Sequence, residues 1–526
     1  MFGISLPSLG SAARPKVDPK DVPAPTRVIF PPQHVPDSSE TGSEAVDGAA
    51  PPGSASLVKT LQAICRPGDI TGTTFDAFGL KTFYDATPAE VVPDPSYIPD
   101  FSTWDSLTID EAREKNASTR LPLNNGNLSP GCQTYVERKS ELSIPNQDAF
   151  RTVRRLPAAK GKPQPRLGNS YEFFRCLELF TTYWDDPTVP LPKSSSEEPS
   201  TDPSLPASDP AVVGSTSTST SDDNDGYYRT MTGTAMPAEH RHALLSSFIR
   251  LVAYDFGCNV TTPRAEPRLQ LCTPLSAVDP GHQPRKSYVP SGCIFVFRTP
   301  TKREHARAGM VEGPVAAVSA RGTLSLDLEL EKNQDLAREI LAALVTAQHR
   351  AREGKTEQRF GEGQWWTTKK RWGGGPGGPI GREVDKDDVV GDKDASSPPT
   401  KKPRKTMAVY DNYRMIRPPS LSWDKKTRYE AIGRPAGVTE YDDIFVISSL
   451  FHHVSVLRVR VPQRLLDVIE GADEETVRSW GGLVLWRSKW YDFFVAEERI
   501  QAMKLLWGVF AYQMRKTDSE DTAMEG

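Results

Sequence analysis

The strongest constraint on the fold is a stretch, residues 187–226, that has no means of building a core. It holds seven acids, one lysine, an alternating Ser/Thr run from Ser215 to Ser221, and no aromatic residue. So little apolar surface cannot offset the ordering entropy, which is ~1–2 kcal/mol per residue for the backbone alone. Strong helical stripes stand on both sides, so the stretch reads as a disordered acidic insert within one domain. Upstream, Phe173, Phe174, Leu177, Phe180 and Tyr183/Trp184 recur at spacings of three and four behind Asn169 or Ser170 as cap. Downstream, Pro237 suits a first helical turn and Leu244, Leu245, Phe248, Ile249, Leu251, Val252 and Phe256 form the stripe. Gly257 then stops the helix.

Beyond that helix the period changes. Ser291 to Phe297 and Pro314 to Ser319 are short apolar runs suited to buried strands. Thr323 to Leu330 alternates leucine with polar residues, which predicts a strand with one polar face. A helix capped by Asn333 is expected next, with Leu336, Ile340, Leu344 and Ala347 facing inward. The order helix, insert, helix, strands, helix predicts an α+β domain over 57–372. Before it, residues 1–56 are Pro-rich and poor in aromatics, as a disordered arm would be. After it, a linker over 373–406 begins with Gly373-Gly-Gly-Pro-Gly-Gly-Pro379. Core-forming residues return over 407–517 in what reads as a predominantly helical, Trp-rich C-terminal domain, followed by a disordered tail, 518–526. There, Pro462 opens a helix carrying Leu465, Leu466, Val468 and Ile469, and a last helix aligns Ile500, Met503, Leu506, Trp507, Phe510 and Met514. Ile444 to Val461 fits either period; the positions Ile444, Ile447, Phe451 and Val454 favour a helix.

Composition narrows the class. Of 526 residues, 37% are apolar and 46 are proline, near twice the usual ~5%. That describes folded cores interrupted by polar segments, and excludes a fibrous repeat or a wholly disordered chain. A net charge of −4 carries no whole-chain polyanion or polycation signal. No apolar run approaches the ~20 residues a membrane span requires. Six scattered cysteines without a CxxC pair, and no signal-peptide pattern at the start, predict a soluble protein of a reducing compartment. Pro399-Thr-Lys-Lys-Pro-Arg-Lys405 has the form of a monopartite nuclear import signal: Lys401, Lys402, Arg404 and Lys405 would fill the acidic groove of an import receptor. The acidic run Asp385 to Asp394 and Ser396-Ser-Pro-Pro399 before it supply exposure. Nuclear localisation is therefore expected, with the cytoplasm as the alternative.

Catalytic and metal motifs are incomplete. Gly354-Lys355-Thr356 lacks the glycine five residues earlier that a phosphate loop needs, since His349 stands there. Gly373, Gly375 and Gly378 satisfy GxGxxG among prolines, with no βα turn around them. His240 and His242, two apart on a helix, point to different faces, and adjacent His452 and His453 are expected to diverge. No cofactor and no metal is expected. Asp185-Asp186 and Asp442-Asp443 read as helix-end charges. Glu312, Asp327, Glu329 and Glu331, followed by Lys332, lie on or beside expected strands. A shared strand face for the last three carboxylates would be the beginning of a Mg²⁺-dependent nuclease site.

The segment 350–372 mixes cations and indoles. Arg350, Arg352, Lys355, Arg359, Lys369, Lys370 and Arg371 outnumber Glu353, Glu357 and Glu362, with Trp365, Trp366 and Trp372 between them. Cations neutralise phosphates and indole faces stack on unpaired bases, so Arg359, Trp365, Trp366, Lys369, Lys370, Arg371 and Trp372 are candidate nucleic-acid contacts. Burial of the indoles under snorkelling cations is the competing account. Arg151 to Arg166, with six cations and no acid, is a second basic stretch.

Four blocks, Arg166 to Phe174, Ala347 to Lys355, Arg371 to Glu383 and Tyr441 to Phe445 onward, resemble a family of large, functionally undescribed proteins of filamentous fungi. The resemblance transfers no fold, activity or site residue; what it implies is a nuclear, non-enzymatic role. The expected function is thus a nuclear adaptor or regulatory subunit of a chromatin or transcription assembly, recruiting protein partners. Nucleic-acid binding is the first alternative and the metal-dependent nuclease the second.

Overall fold

The computed structural model describes residues 24–26, 28, 30, 56–66, 69–159, 161–188, 229–261, 267–274, 284–299, 310–321, 329–353, 428–434, 440–476 and 478–516. Nearly all of the expected arm, the insert, the linker and the tail lie outside them. The first half runs α1 (Leu57–Ala63), α2 (Gly72–Phe78), β1 (Lys81–Phe83), α3 (Pro88–Val91), α4 (Phe101–Asp105), α5 (Ile109–Lys115), α6 (Cys132–Leu142), α7 (Asn146–Val153), α8 (Tyr171–Phe180) and α9 (Ala238–Ala253). Then come β2 (Cys258–Thr261), β3 (Arg268–Cys272), β4 (Lys286–Pro290), β5 (Ile294–Arg298), β6 (Met310–Ala320) and α10 (Glu329–Arg350). The C-terminal part has β7 (Arg428–Glu430), β8 (Tyr441–Leu450), β9 (His453–Pro462), α11 (Gln463–Ile469), β10 (Val484–Arg487), β11 (Tyr491–Asp492) and α12 (Ala496–Gln513).

Helices and a mixed sheet make this an α+β chain. Nine of the described strands form one sheet in the order β1-β10-β9-β8-β6-β5-β2, with β11 also on β9 and β7 also on β6. The centre is a parallel pair, β6 and β8, registered Ala317 to Val446 and Ala320 to Ser449. β5 and β9 flank that pair antiparallel, and β1 closes the edge parallel to β10. Each face of the sheet buries its own core. Helices α6, α7, α8, α9 and α12 cover one face with Phe173, Phe248, Phe445, Phe493 and Trp507. Trp507 is the hub, with the rings of Trp104, Tyr135 and Phe256 within 6.2 Å. Helices α1, α2, α10 and α11 and the β3–β4 hairpin cover the other with Leu57, Phe75, Ile340, Leu344, Val446, Leu457 and Leu465. No helix among the described residues is long and apolar enough to cross a membrane.

The helices follow the apolar stripes, but two expectations fail. The C-terminal part is not predominantly helical: its described residues supply five strands of the sheet against two helices. Tyr441–Pro462 is a hairpin, paired from Tyr441–Pro462 to Leu450–His453. β8 lies between two helical layers, so both of its faces are apolar and its period-two signal is erased, while β9 keeps an alternation only over 457–461. The abundance of Ile and Val, which suit a pleated surface, is the cue that remains. The second failure is at the start of α10. Glu329 already lies in the helix, four residues ahead of the expected cap Asn333. Leucine and glutamate are strong helix formers, so the Leu/Glu alternation at the end of the 323–330 run did not hold Glu329 and Leu330 in a strand; residues 322–328 lie outside the described set.

Candidate functional site

The import-signal residues Lys401, Lys402, Arg404 and Lys405 lie outside the described residues, as do Arg359, Trp365, Trp366, Lys369, Lys370, Arg371 and Trp372. Two cations at the start of the basic segment are described, and they serve the fold. Arg350 is 1% exposed; its Nε and Nη2 donate to Asp442 at 2.7 and 3.2 Å, and its Nη1 to the Pro314 and Ile432 carbonyls at 2.9 and 2.7 Å. Arg352 Nη1 stands 2.8 Å from His349 Nδ1. Asp442 and Asp443 are therefore strand residues paired to arginines, not helix-end charges. In the other basic stretch, Arg154 pairs with Glu178 at 2.6 Å and Lys162 with Asp148 at 3.4 Å.

The acidic strand face is also revised. Glu312 is buried in β6 against Arg298 of β5. Glu329 and Glu331 belong to α10, and Asp327 lies outside the described residues. Glu329 and Glu331 do not share a strand face with Glu312, because β6 ends at Ala320 and a helix holds both of them.

A different constellation gathers at the carboxyl ends of β6 and β8, where open α/β sheets commonly place their sites. Arg321, just past β6, reaches Asp335 and Glu339, which α10 holds one turn apart. Arg487, at the end of β10, pairs with the same Glu339, and Ser448 Oγ donates to Glu339 Oε1 at 2.6 Å. The Trp490 ring lies under both guanidinium groups, 4.8 Å from Arg321 and 5.2 Å from Arg487. The Arg321 and Asp335 side chains are 1% exposed and Glu339 is fully buried. Burial raises the Asp335 carboxyl to about 6 despite Arg321. Burial acts on Glu339 too, but Arg487, Arg321 and the Ser448 hydroxyl together bring it below the usual carboxylate range. The network ties α10 to three strands.

Beside it, the turn of the β8–β9 hairpin carries Phe451 and His452, with Phe451 at φ +52°. A two-residue turn breaks strand alternation, so His452 and His453 do not diverge: their ring centroids are 4.2 Å apart. β11 sets Asp492 directly opposite His453. Asp492 Oδ2 lies 3.8 Å from His452 Nε2 and 3.7 Å from His453 Nε2. Trp184 and Phe494 wall His452 at 4.9 and 5.2 Å, and Phe30 meets His453 edge-on at 4.9 Å. Burial drives His452 well below its ordinary range and His453 to about 4, leaving two neutral imidazoles. Burial raises Asp492 to about 7, although the Phe494 N–H donates to it at 2.8 Å.

The third feature is an aromatic and arginine face at the β1 edge. Neighbours across β1, β10, β9 and β8 are Phe83, Trp486, Arg458 and Phe445, and in the next row Lys81, Val484, Arg460 and Asp443. Phe83 stacks on Trp486 at 5.7 Å and 14°. The Arg458 guanidinium lies 3.7 Å from the Trp486 centroid, and that of Arg460 lies 3.9 Å from the Tyr441 centroid. Arg460 also donates twice to Asp443, at 3.1 and 3.0 Å. Phe83 is 50% and Tyr441 39% exposed, unusually open for aromatics in ordered strands. Sequence reasoning missed this face because it rests on reading 453–462 as a strand. The alternation Leu-Arg-Val-Arg-Val at 457–461 was the available signal. Comparison with protein-family models, curated proteins and solved structures finds no match to this chain.

Proposed function

We propose that the protein is a nuclear, non-enzymatic adaptor or regulatory subunit that docks a protein partner on the face formed by Phe83, Tyr441, Arg460 and Trp486, with Arg458 buried against the Trp486 indole. The observation that carries this reading is Phe83, half exposed yet stacked flat on Trp486, with Arg458 against the same indole. Trp, Tyr and Arg dominate the energetic centres of protein interfaces, and a ring already held in place loses little entropy on binding. The charge balance favours protein over nucleic acid. Asp443 neutralises Arg460, and Arg458 is buried with Asp443 acting on it, whereas a polyanion groove leaves its cations free. The import-like run 401–405 supports a nuclear setting, and a chromatin or transcription assembly suits the long core-poor segments.

The test is affinity purification of tagged full-length chain from its own cells, with and without nuclease, for wild type and Phe83→Asp. Partners that survive nuclease and fall about ten-fold or more in Phe83→Asp, at unchanged thermal midpoint, support the docking face. An unchanged partner set in Phe83→Asp rejects it. Loss of all partners on nuclease treatment transfers the function to the Trp/basic segment 359–372. Replacing Lys401, Lys402, Arg404 and Lys405 by alanine should abolish nuclear accumulation, read by fluorescence microscopy; retained accumulation would reject the nuclear setting.

A further inference from the structure

The site at the β8–β9 turn does something the docking face does not require. Two histidines and one aspartate bring one donor atom each to within 4.8 Å of one another. Ligands at ~2.0–2.1 Å around a tetrahedral ion stand about 3.3–3.4 Å apart, so the 3.7–3.8 Å between Asp492 Oδ2 and the two Nε2 atoms needs only a small contraction.

Two further observations favour a cation. The His452 and His453 side chains are only 7% and 13% exposed, and their surroundings are rich in negative charge, since Glu498 and Asp186 both act on Asp492. The neighbouring cation, Arg499, spends its donors elsewhere, on the carbonyls of Leu142, Ile144 and Phe493 and on Asn146 Oδ1. Finally, the three residues are rigidly placed by a tight hairpin turn and by the β9–β11 register.

We propose that His452, His453 and Asp492 bind one divalent cation of the zinc class. Two imidazole nitrogens and a carboxylate oxygen suit Zn²⁺ or Co²⁺ better than the all-oxygen preference of Mg²⁺ or Ca²⁺. The ion would tie the β8–β9 turn to β11 and so to the start of α12. It is independent of the docking face, which lies at the opposite ends of β8 and β9.

The experiment uses the full-length chain, stripped with chelator and titrated with Co²⁺ and then with Zn²⁺. The expected result is one equivalent per chain, visible Co²⁺ absorption bands that Zn²⁺ abolishes, and a higher thermal midpoint with Zn²⁺. Asp492→Asn and His453→Gln should weaken Zn²⁺ by more than the ~10–100-fold typical of losing an outer partner. His240→Gln should bind as wild type. Because a variant could fail to fold, X-ray absorption at the zinc edge of the wild type provides a second reading, expected to show two imidazoles and no sulfur. Absence of stoichiometric binding, a sulfur ligand, or variants that bind as tightly as wild type would each overturn the proposal.

Discussion

Asp105 collects donors from two other helices: Lys139 Nζ at 2.7 Å, the Tyr135 hydroxyl at 2.6 Å and Lys504 Nζ at 2.6 Å. Partial burial alone would raise its pKa, but these three donors outweigh it and hold the carboxyl at about 2. A carboxyl depressed in the folded state contributes stability above its unfolded pKa, near 4, and loses it as pH falls towards 2. Asp105→Asn should therefore cost about 1–2 kcal/mol at pH 7, discounted for solvent access, and flatten the loss of stability between about pH 4 and 2. Urea unfolding across that range reads both effects. Arg350 and Asp442 make the opposite case of a pair sealed from water. Arg350→Met alone should cost about 3–5 kcal/mol, because Asp442 is left buried and unpaired, and Arg350→Met with Asp442→Leu should recover much of it. Additive losses in that double-mutant cycle would mean the pair is not coupled.

At the scale of elements, the β8–β9 hairpin is the longest continuous pairing among the described residues and lies between both cores. Its central amides, around Phe445–Ile447 and Val456–Val459, should exchange with deuterium most slowly. Those of the three-residue edge strand β1 should exchange at least ~100-fold faster. Native-state exchange by mass spectrometry resolves the two. The same hairpin marks where sequence reading stops. Helices α8, α9 and α11 were legible because one face of each stays polar enough for the 3.6-residue stripe to stand out, and α12, buried on nearly every side from Ala502 on, was legible from the helical spacing of Ile500, Met503, Leu506, Trp507, Phe510 and Met514. The strands β5 and β6 were legible as short apolar runs. β8 was not, since burial on both faces leaves no alternation to detect, and the alternation that β9 does keep at 457–461 was outweighed by the helical spacing of Ile444, Ile447, Phe451 and Val454. The site residues were harder still. His452 and Asp492 are brought together by a turn and a register, neither of which has a local sequence signature.

Over the whole molecule, strands drawn from residues 81 to 492 share one sheet, so its integrity depends on both halves of the chain. A fragment of residues 57–372 would leave β6 without β8 and β1 without β10. Produced alone, it should lack a cooperative urea transition and near-ultraviolet circular dichroism. Adding a 407–526 fragment should restore both; a cooperative transition in the first fragment alone would show that half of the sheet is self-sufficient.

The parallel pairing of β6 with β8 also sets a schedule for synthesis. Ala320 ends β6 and Tyr441 opens β8, so about 120 residues must be translated before the central strand meets its partner. At ~5–20 residues per second that is a wait of about 6–24 s. Throughout it, the newly made 317–320 edge has unsatisfied backbone groups in a sequence of alanine, valine and serine. Several nascent chains on one polysome could carry that same open edge at once, and a chaperone at the ribosome exit would find its substrate there.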